Sequence, residues 1–277
     1  MKIITRPQMD LLWCVMKPLN LIAKLSDDPC DKRLSDSLII GYLDSLAKIQ
    51  DDRIHKKLLE ELISQYVILE KRVDSLLKNT LPERVANEIK YGGRFPPRPY
   101  DCTILFSDIV GFTGLAEKIP GDELIGILDR LFKEIDDLVL RFRGTKIKTI
   151  GDAYMAVFGA PREDEGHAVM AVKTGLELVG LVDSFSRGIN QPLRLRIGIH
   201  SGKVMAGVVG KERMQFDVFG DNVNIAARFE SAGEAGKVNV SHATYIKTNH
   251  RFQFEERGEI ALKNKADMKA YFVLGER

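Results

Sequence analysis

The stretch KIKTIGDAYMAVF, residues 146–158, decides the fold of this sequence. Its two halves, residues 146–150 and 154–158, are short runs rich in β-branched, aromatic and other apolar residues. Between them lies Gly151-Asp152, a pair of typical turn residues. Two such runs joined by a short glycine-containing turn are expected to pair as a β-hairpin. The neighbouring elements are therefore assigned outward from this hairpin.

A strand and two helices are predicted around the hairpin. Residues 103–106 form a short apolar run before it, and helical patterns cover residues 122–142 and 163–185. Residues 193–199 alternate between arginine and apolar residues, which predicts the next strand. This order predicts an α+β domain of the ferredoxin-like βαββαβ type. We expect additional strands and a helix after it, at residues 204–209, 215–219 and 222–229.

The composition excludes several classes of protein. The chain has 277 residues, of which 44% are hydrophobic and 29% charged, as in ordinary globular proteins. Its formal net charge of +2 is too close to neutral to predict a nucleic-acid or lipid-binding surface. No apolar run approaches the ~20 residues of a membrane helix. The three cysteines, Cys14, Cys30 and Cys102, lack ligand-like spacing, so we expect a reduced cytoplasmic setting without disulfides or zinc.

A breaker-rich segment, residues 92–99, divides the chain near residue 97. Residues 1–50 carry helical patterns but no recognisable ligand motif. Residues 51–96 combine a linker with apolar residues spaced alternately three and four apart, the pattern of a coiled coil. These seam residues are Leu59, Leu62, Tyr66, Leu69, Val73 and Leu76. A dimerising coiled coil is favoured over a four-helix arrangement or a lone helix packed on its own domain, and a short helix at 84–90 follows Leu81-Pro82.

Two aspartates are candidates for binding metal. Asp108 ends the predicted first strand, and Asp152 lies in the hairpin turn. If the hairpin lies beside that strand, the two carboxylates meet at one end of the sheet, as a pair of phosphate-bridged Mg²⁺ ions requires. Gly111 would permit a close backbone turn after Asp108, and Thr113 would cap a short helix whose free amides face an anion. The alternative is that each aspartate is an ordinary turn residue.

Polar residues also interrupt two predicted strands. Lys148 and Asp217 lie among apolar residues, so each needs a partner or a ligand. Such a pair suits adenine, because the aspartate would accept from the N6 amine and the lysine would donate to N1; guanine presents the opposite pattern. Asn224 and Arg228 lie four residues apart on one helix face. There they would orient a ribose and stabilise charge on a phosphate, unless that face is simply solvated.

Four segments resemble the signature blocks of class III adenylyl cyclases and occur in the family's order. They are FSDIVGFT at 106–113, KIKTIGD at 146–152, RIGIHSG at 196–202 and VNIAAR at 223–228. The resemblance covers residues 100–273, and four separate blocks make it specific. It implies a cyclase catalytic domain over residues 97–277 that converts ATP to 3′,5′-cyclic AMP and pyrophosphate.

The resemblance also implies roles for individual residues. Asp108 and Asp152, with the carbonyl of Ile109, would bind two Mg²⁺ or Mn²⁺ ions. Lys148 and Asp217 would select adenine, since guanylyl cyclases of the family carry Glu and a small residue such as Cys there. The other implied site residues are Asn224 and Arg228 for the transition state, and Gly111, Phe112, Thr113, Arg196 and Lys263 for the substrate.

Two positions in the region of the resemblance, Lys263 and His200, need an interpretation of their own. The family often has a glycine after each lysine near Lys263, whereas this chain reads KNKA at 263–266. This departure predicts a stiffer loop there. His200 lies within a signature block, yet we interpret it as structural.

The active site is expected to be shared between two chains. Lys148 and Asp152 are four residues apart, one within a strand and the other in the turn that ends it. Alternating side chains of a strand are poorly placed to converge on one nucleotide, whereas a symmetric homodimer with composite sites removes this difficulty. An inactive regulatory module and a guanylyl cyclase are the alternatives. The intact catalytic set disfavours the first, and the Lys148–Asp217 pair disfavours the second.

Overall fold

The computed structural model describes residues 52–189, 191–211, 213–261 and 267–277. The predicted helical region of residues 1–50 and the candidate phosphate ligand Lys263 lie outside these ranges. Leu76–Arg277 forms one compact unit, and residues 52–75 belong to another. Among the described helices, none is both long and apolar enough to cross a membrane. The domain boundaries expected from the sequence stay predictions.

The first described helix, α1 (Asp52–Thr80), ends just before Leu81-Pro82. Four of the predicted seam residues are exposed on it, namely Tyr66, Leu69, Val73 and Leu76. The side chains at the first two seam positions, Leu59 and Leu62, are not among those described. An exposed apolar stripe on a helix is suited to pairing with another helix. The coiled coil itself stays a prediction.

The second helix, α2 (Glu83–Gly92), packs within the compact unit. Val85 and Ala86 of this helix are buried, together with Leu81 before it and Phe95 after it. The structure confirms the predicted short helix at residues 84–90. Its buried face contributes to the same apolar cluster as the central strands.

Eight strands form one sheet: β1 (Arg98–Ile109), β2 (Gly144–Ile150), β3 (Ala153–Phe158), β4 (Leu195–Val209), β5 (Gln215–Phe219), β6 (Val238–Ser241), β7 (Phe252–Ile260) and β8 (Met268–Glu276). The helices after α2 are α3 (Phe112–Ala116), α4 (Gly121–Arg141), α5 (His167–Ile189), α6 (Asp221–Ser231) and α7 (His242–Thr248). The sheet order is β2-β3-β1-β4-β6-β8-β7, and β5 pairs with β4. Of the strand pairs described, only β4 and β6 are parallel.

The succession β1, α4, β2, β3, α5, β4 confirms the predicted βαββαβ core. Two local predictions are wrong. Residues 193–199 and 204–209 are not separate strands, because Ser201 and Gly202 stay extended and pair with Thr103 and Cys102 of β1. Thr113 does not precede a helix, because α3 begins at Phe112.

Helices cover both faces of the sheet. On one face, which we call the α4–α5 face, helices α4 and α5 pack on alternate strand residues such as Leu105 and Ile199. On the opposite face, which we call the α2–α6 face, helices α2 and α6 cover Ile104 and Val157. Asp108 belongs to the α2–α6 face, because it lies four residues after Ile104 on the same strand.

Two glycines of β4 let α6 approach the sheet closely. A Cβ on Gly198 would come within 1.9 Å of the backbone nitrogen of Glu230, and a Cβ on Gly202 within 2.6 Å of the side chain of Asn222. Real Cβ atoms do not approach a backbone so closely, so only glycine fits at position 198, whereas a side chain at position 202 would have to displace that of Asn222. The backbone of α6 therefore rests almost directly on β4.

Candidate active site

The two candidate metal-binding carboxylates converge at one end of the sheet. Asp108 is near the end of β1, and Asp152 lies in the turn between β2 and β3. Because Ser107 pairs with Tyr154, the end of β1 lies beside this turn. Burial raises the pKa of Asp152, and the charge of Asp108 raises it further. Hydrogen bonds from the backbone of Asp152 and Ile109 lower this pKa but do not cancel the rise. A cation between the two carboxylates would relieve this repulsion.

Arg196 lies between Asp108 and a third carboxylate, Glu230. Its Nη2 donates to Asp108 Oδ2 at 2.8 Å, and its Nε donates to Glu230 Oε1 at 3.1 Å. Burial raises the pKa of Glu230; the charge of Arg196 opposes this shift and that of Asp108 adds to it. One guanidinium is therefore shared between two acidic side chains.

Lys148 and Asp217 contact each other within one chain. Lys148 Nζ donates to Asp217 Oδ2 at 2.5 Å. Asp217 is only 7% exposed, and its Oδ1 accepts a hydrogen bond from the backbone nitrogen of Val218 at 2.9 Å. The structure thus brings together two residues that are 69 positions apart in the chain.

Helix α6 presents Asn224 and Arg228 above β4. The buried side of this helix is formed by Ile225, Ala226 and Phe229. Asn224 is exposed. The Nη1 nitrogen of Arg228 is buried and has no hydrogen-bond partner among the described residues. A buried guanidinium nitrogen without an acceptor is costly, so this position is suited to an anion.

His200 lies beneath the start of α6 and is buried. Its Nε2 contacts Asn222 Oδ1 at 2.9 Å, and its Nδ1 contacts Ser241 Oγ at 2.7 Å. Asn222 Nδ2 donates to the carbonyl of Lys203 at 2.7 Å, which leaves Oδ1 to accept from His200. Burial lowers the pKa of His200 and favours the neutral ring. These contacts anchor the start of α6 and agree with the structural interpretation of His200.

The segment just after β1 contains three further candidates. Gly111 has a φ of 77°, in the left-handed region, which supports the predicted close turn. Phe112 is partly buried and packs against the core on the α4–α5 face. The side chain of Thr113 is outside the described set. Substrate contacts of all three residues stay predictions.

Residues 96–275 match the family described as Adenylate and Guanylate cyclase catalytic domain. This chain belongs to that family. The match covers all the candidate site residues and begins just before β1.

Proteins similar to this chain include adenylyl and guanylyl cyclases. Atrial natriuretic peptide receptor 2 of Homo sapiens is 40% identical over 219 residues, which cover 76% of this chain and 21% of the receptor. The crystal structure of the adenylyl cyclase CyaB from P. aeruginosa has a TM-score of 0.64 and 31% identity, covering 66% of this chain and 98% of that one. The guanylate cyclase domain of RhGC from Catenaria anguillulae, in complex with GTP, has a TM-score of 0.63 and 32% identity, covering 65% and 100%. This chain spans about a fifth of the length of the curated relative.

The donor set of the candidate site fits the divalent metal ions that the family implies. Asp108 and Asp152 offer oxygen atoms, the donors that Mg²⁺ and Mn²⁺ prefer. In the part of the chain that the structure describes, no group of three or more His, Cys, Asp or Glu side chains could hold a metal. Mg²⁺ is commonly held by one or two carboxylates together with substrate phosphates and water. The site therefore suits ions that share their ligands with a nucleotide; the role of the Ile109 carbonyl stays a prediction.

Glu230 belongs to the candidate site although no sequence pattern singles it out. Arg196, an arginine in a largely apolar strand, signals that an acidic partner exists. That partner is 34 residues away and occupies an ordinary position of an amphipathic helix. Only the approach of α6 to Gly198 makes Glu230 identifiable.

Proposed function

We propose that this cyclase converts ATP to 3′,5′-cyclic AMP and pyrophosphate. The contact between Lys148 and Asp217 carries the proposal, because it places one hydrogen-bond donor directly beside one acceptor. Adenine presents an N1 acceptor beside an N6 donor, which complements this pair. Guanine presents an N1–H donor and an O6 acceptor, so each contact would be mismatched if guanine bound in the same orientation. A largely buried carboxylate such as Asp217 tolerates such a mismatch poorly.

A guanylyl cyclase is the second candidate. RhGC, solved with GTP, is 32% identical to this chain, and the adenylyl cyclase CyaB is 31% identical. Overall identity therefore does not distinguish the two nucleotides. The Lys148–Asp217 pair is the observation that favours ATP.

In the proposed reaction, the 3′-hydroxyl of ATP attacks the α-phosphorus in line, and pyrophosphate leaves as the hydroxyl proton is released. Divalent ions held by Asp108 and Asp152 would supply charge that lowers the pKa of the hydroxyl and neutralises the triphosphate. Asn224 would orient the ribose. Arg228 would stabilise charge developing on the α-phosphate. The buried, unpartnered Nη1 of Arg228 supports this role, since a phosphate oxygen would satisfy it.

We also propose that two copies of the chain form a homodimer with composite sites. Met205 and Phe219 pair across the β4–β5 hairpin and are 46% and 44% exposed. Asp217 lies two residues before Phe219, so strand alternation puts it on the same side of the hairpin. Exposed apolar side chains beside a candidate site residue are typical of a protein interface. A second copy covering this side would bring its Asp108 and Asp152 to Lys148 and Asp217 of the first copy. A coiled coil formed by α1 would raise the effective concentration of the two chains.

A reduced cytoplasmic setting is part of the proposal. Cys102, the one cysteine among the described residues, is buried. Burial raises its pKa to about 12, so the thiol is poorly reactive. Such a cysteine suits a structural role without disulfide formation.

The test is incubation of the full chain with Mn²⁺ and either ATP or GTP, followed by detection of both cyclic nucleotides. We expect cyclic AMP from ATP and little cyclic GMP from GTP. Cyclic GMP as the main product would overturn the base assignment. Absence of product from either nucleotide would favour an inactive regulatory module. The Asp108→Ala variant, purified in parallel, controls for a contaminating cyclase and should give no product.

A further inference from the structure

Glu230 accepts a hydrogen bond from Arg196, a candidate substrate-binding residue, at 3.1 Å. We infer that Glu230 is a positioning residue that holds Arg196 toward the triphosphate of the substrate when a divalent ion takes the carboxylate of Asp108. This inference rests on the proposed cyclase function but not on the choice of base. Glu230 acts through Arg196 and does not itself touch the nucleotide.

The bonds made by Arg196 leave part of its guanidinium for a ligand. An arginine has five N–H donors. Glu230 takes the Nε donor at 3.1 Å, and Asp108 takes one Nη2 donor at 2.8 Å. Neither contact uses Nη1. If Asp108 releases its bond, Nη1 and Nη2 together present the paired donors that match phosphate oxygens.

Glu230 is better fixed than Asp108 as a support for Arg196. Its side chain is 12% exposed, against 23% for that of Asp108. The hydroxyl of Ser231 lies 3.1 Å from its second carboxylate oxygen and shares its one proton between that oxygen and the carbonyl of Ala227. Its backbone is held against Gly198 of β4. The anchor of Arg196 is therefore part of the contact between helix and sheet.

Competition for Asp108 explains why a second anchor is needed. A cation that binds Asp108 displaces the guanidinium from that carboxylate and repels it. With Asp108 as its sole acidic partner, Arg196 would turn toward solvent at the moment when the triphosphate arrives. Glu230 accepts from a different nitrogen, Nε, so its hold on the guanidinium persists.

This role predicts an effect on substrate binding rather than on the chemical step. Arg196 would contact the triphosphate in both the bound substrate and the transition state, and removal of such uniform binding raises KM with little change in kcat. Glu230→Gln keeps an acceptor oxygen but removes the negative charge that holds the guanidinium, which corresponds to a change of about tenfold in affinity. We therefore expect Glu230→Gln to raise KM about tenfold and to change kcat much less.

The experiment compares Glu230→Gln with Glu234→Gln. Glu234 is a surface residue that pairs with Lys237 at 2.8 Å, so its variant is a matched control that should behave like the wild type. KM and kcat are measured for each chain. Calorimetry measures the affinity of each chain for a 3′-deoxynucleoside triphosphate in the presence of Mn²⁺. This nucleotide lacks the attacking hydroxyl and is therefore not turned over. The base is that of whichever nucleotide the wild type cyclises, so failure of the base assignment is distinguishable from failure of this inference.

A double-mutant cycle with Arg196→Gln tests whether Glu230 acts through Arg196. We expect Arg196→Gln to weaken nucleotide binding and Glu230→Gln to add nothing further in that background. A single variant that folds poorly because it leaves one partner of the Arg196–Glu230 pair without its counter-charge is covered by the double variant, which removes both charges. Unchanged calorimetric affinity in Glu230→Gln would overturn the inference. Additive losses in the double variant, or a fall in kcat and stability with KM unchanged, would also overturn it.

Discussion

Gly198 of β4 lies directly against the backbone of Glu230 in α6. A Cβ at position 198 would be 1.9 Å from the Glu230 nitrogen and 2.4 Å from its Cα. This contact sets the distance between α6 and the sheet, and with it the positions of Asn224 and Arg228. The glycine in the signature block is therefore required by the packing of the helix that carries the candidate catalytic residues.

We predict that Gly198→Ala destabilises the protein and impairs catalysis together. The added methyl group meets backbone atoms, so α6 must move; overpacking of this kind typically costs about 1–3 kcal/mol. Denaturant unfolding and cyclase turnover measure the two effects. Gly180→Ala in α5 is the control, because nothing lies within 4 Å of the added Cβ there, and it should be neutral or slightly stabilising. Wild-type turnover by a stable Gly198→Ala variant would contradict the prediction.

The sequence predicts the βαββαβ core because its elements have strong local patterns. The hairpin around Gly151-Asp152 and the long helix α4 appear nearly at their expected positions. Sequence patterns misplace the middle of β4, because Ser201 and Gly202 resemble a break until their partners on β1 are known. Glu230 is missed for the same reason: its significance depends on a contact between distant segments, which local patterns do not encode.

Base selection provides the second prediction. Lys148→Glu combined with Asp217→Cys should weaken the use of ATP sharply, because the donor that meets N1 and the acceptor that meets N6 are both lost. Each mismatch costs about 1–3 kcal/mol. The ratio of kcat/KM for ATP and GTP is the measurement. The single substitution Lys146→Glu serves as a control. Lys146 contacts Asp136 at 2.8 Å and not Asp217, so this variant should leave the ratio unchanged. An unaltered preference for ATP in the double variant would refute the assignment.

The third prediction concerns the two carboxylates. Asp108→Ala or Asp152→Ala should each abolish turnover. Asp152→Ala should leave stability equal or higher, because it removes one member of a repelling pair, whereas Asp108→Ala also loses the ion pair with Arg196. Turnover at saturating Mn²⁺ and thermal unfolding are measured on the same preparations. Substantial activity in either variant would exclude a site that depends on both carboxylates.

The fourth prediction is a pH dependence of stability that involves His200. Burial lowers the folded-state pKa of His200 below the unfolded value of about 6.5. As the pH falls, the unfolded chain therefore takes up a proton on His200 before the folded chain does. The contribution of neutral His200 to the free energy of unfolding is complete above about pH 6.5 and is lost as the pH falls toward the lower folded-state pKa. Urea midpoints should fall between pH 7.5 and pH 5.5 by more in the wild type than in His200→Gln. The exposed His250 gives the control variant His250→Gln, which should keep the wild-type dependence. Equal pH dependence in wild type and His200→Gln would show that His200 is not the group responsible.

The final prediction tests the composite site by complementation. Asp108→Ala removes a metal-binding carboxylate, and Asn224→Ala removes the group proposed to orient the ribose. If one site takes its carboxylates from one chain and α6 from the other, a mixed dimer has one site with both defects and one with neither. Two variants that are inactive alone should then regain activity when mixed, up to about half the wild-type value per heterodimer. Mixing Asp108→Ala with Asp152→Ala is the control, because each site would still lack one carboxylate, and it should stay inactive. A mixture of the first pair that stays inactive, although subunit exchange is demonstrated with differently tagged chains, would mean that each chain builds its site alone.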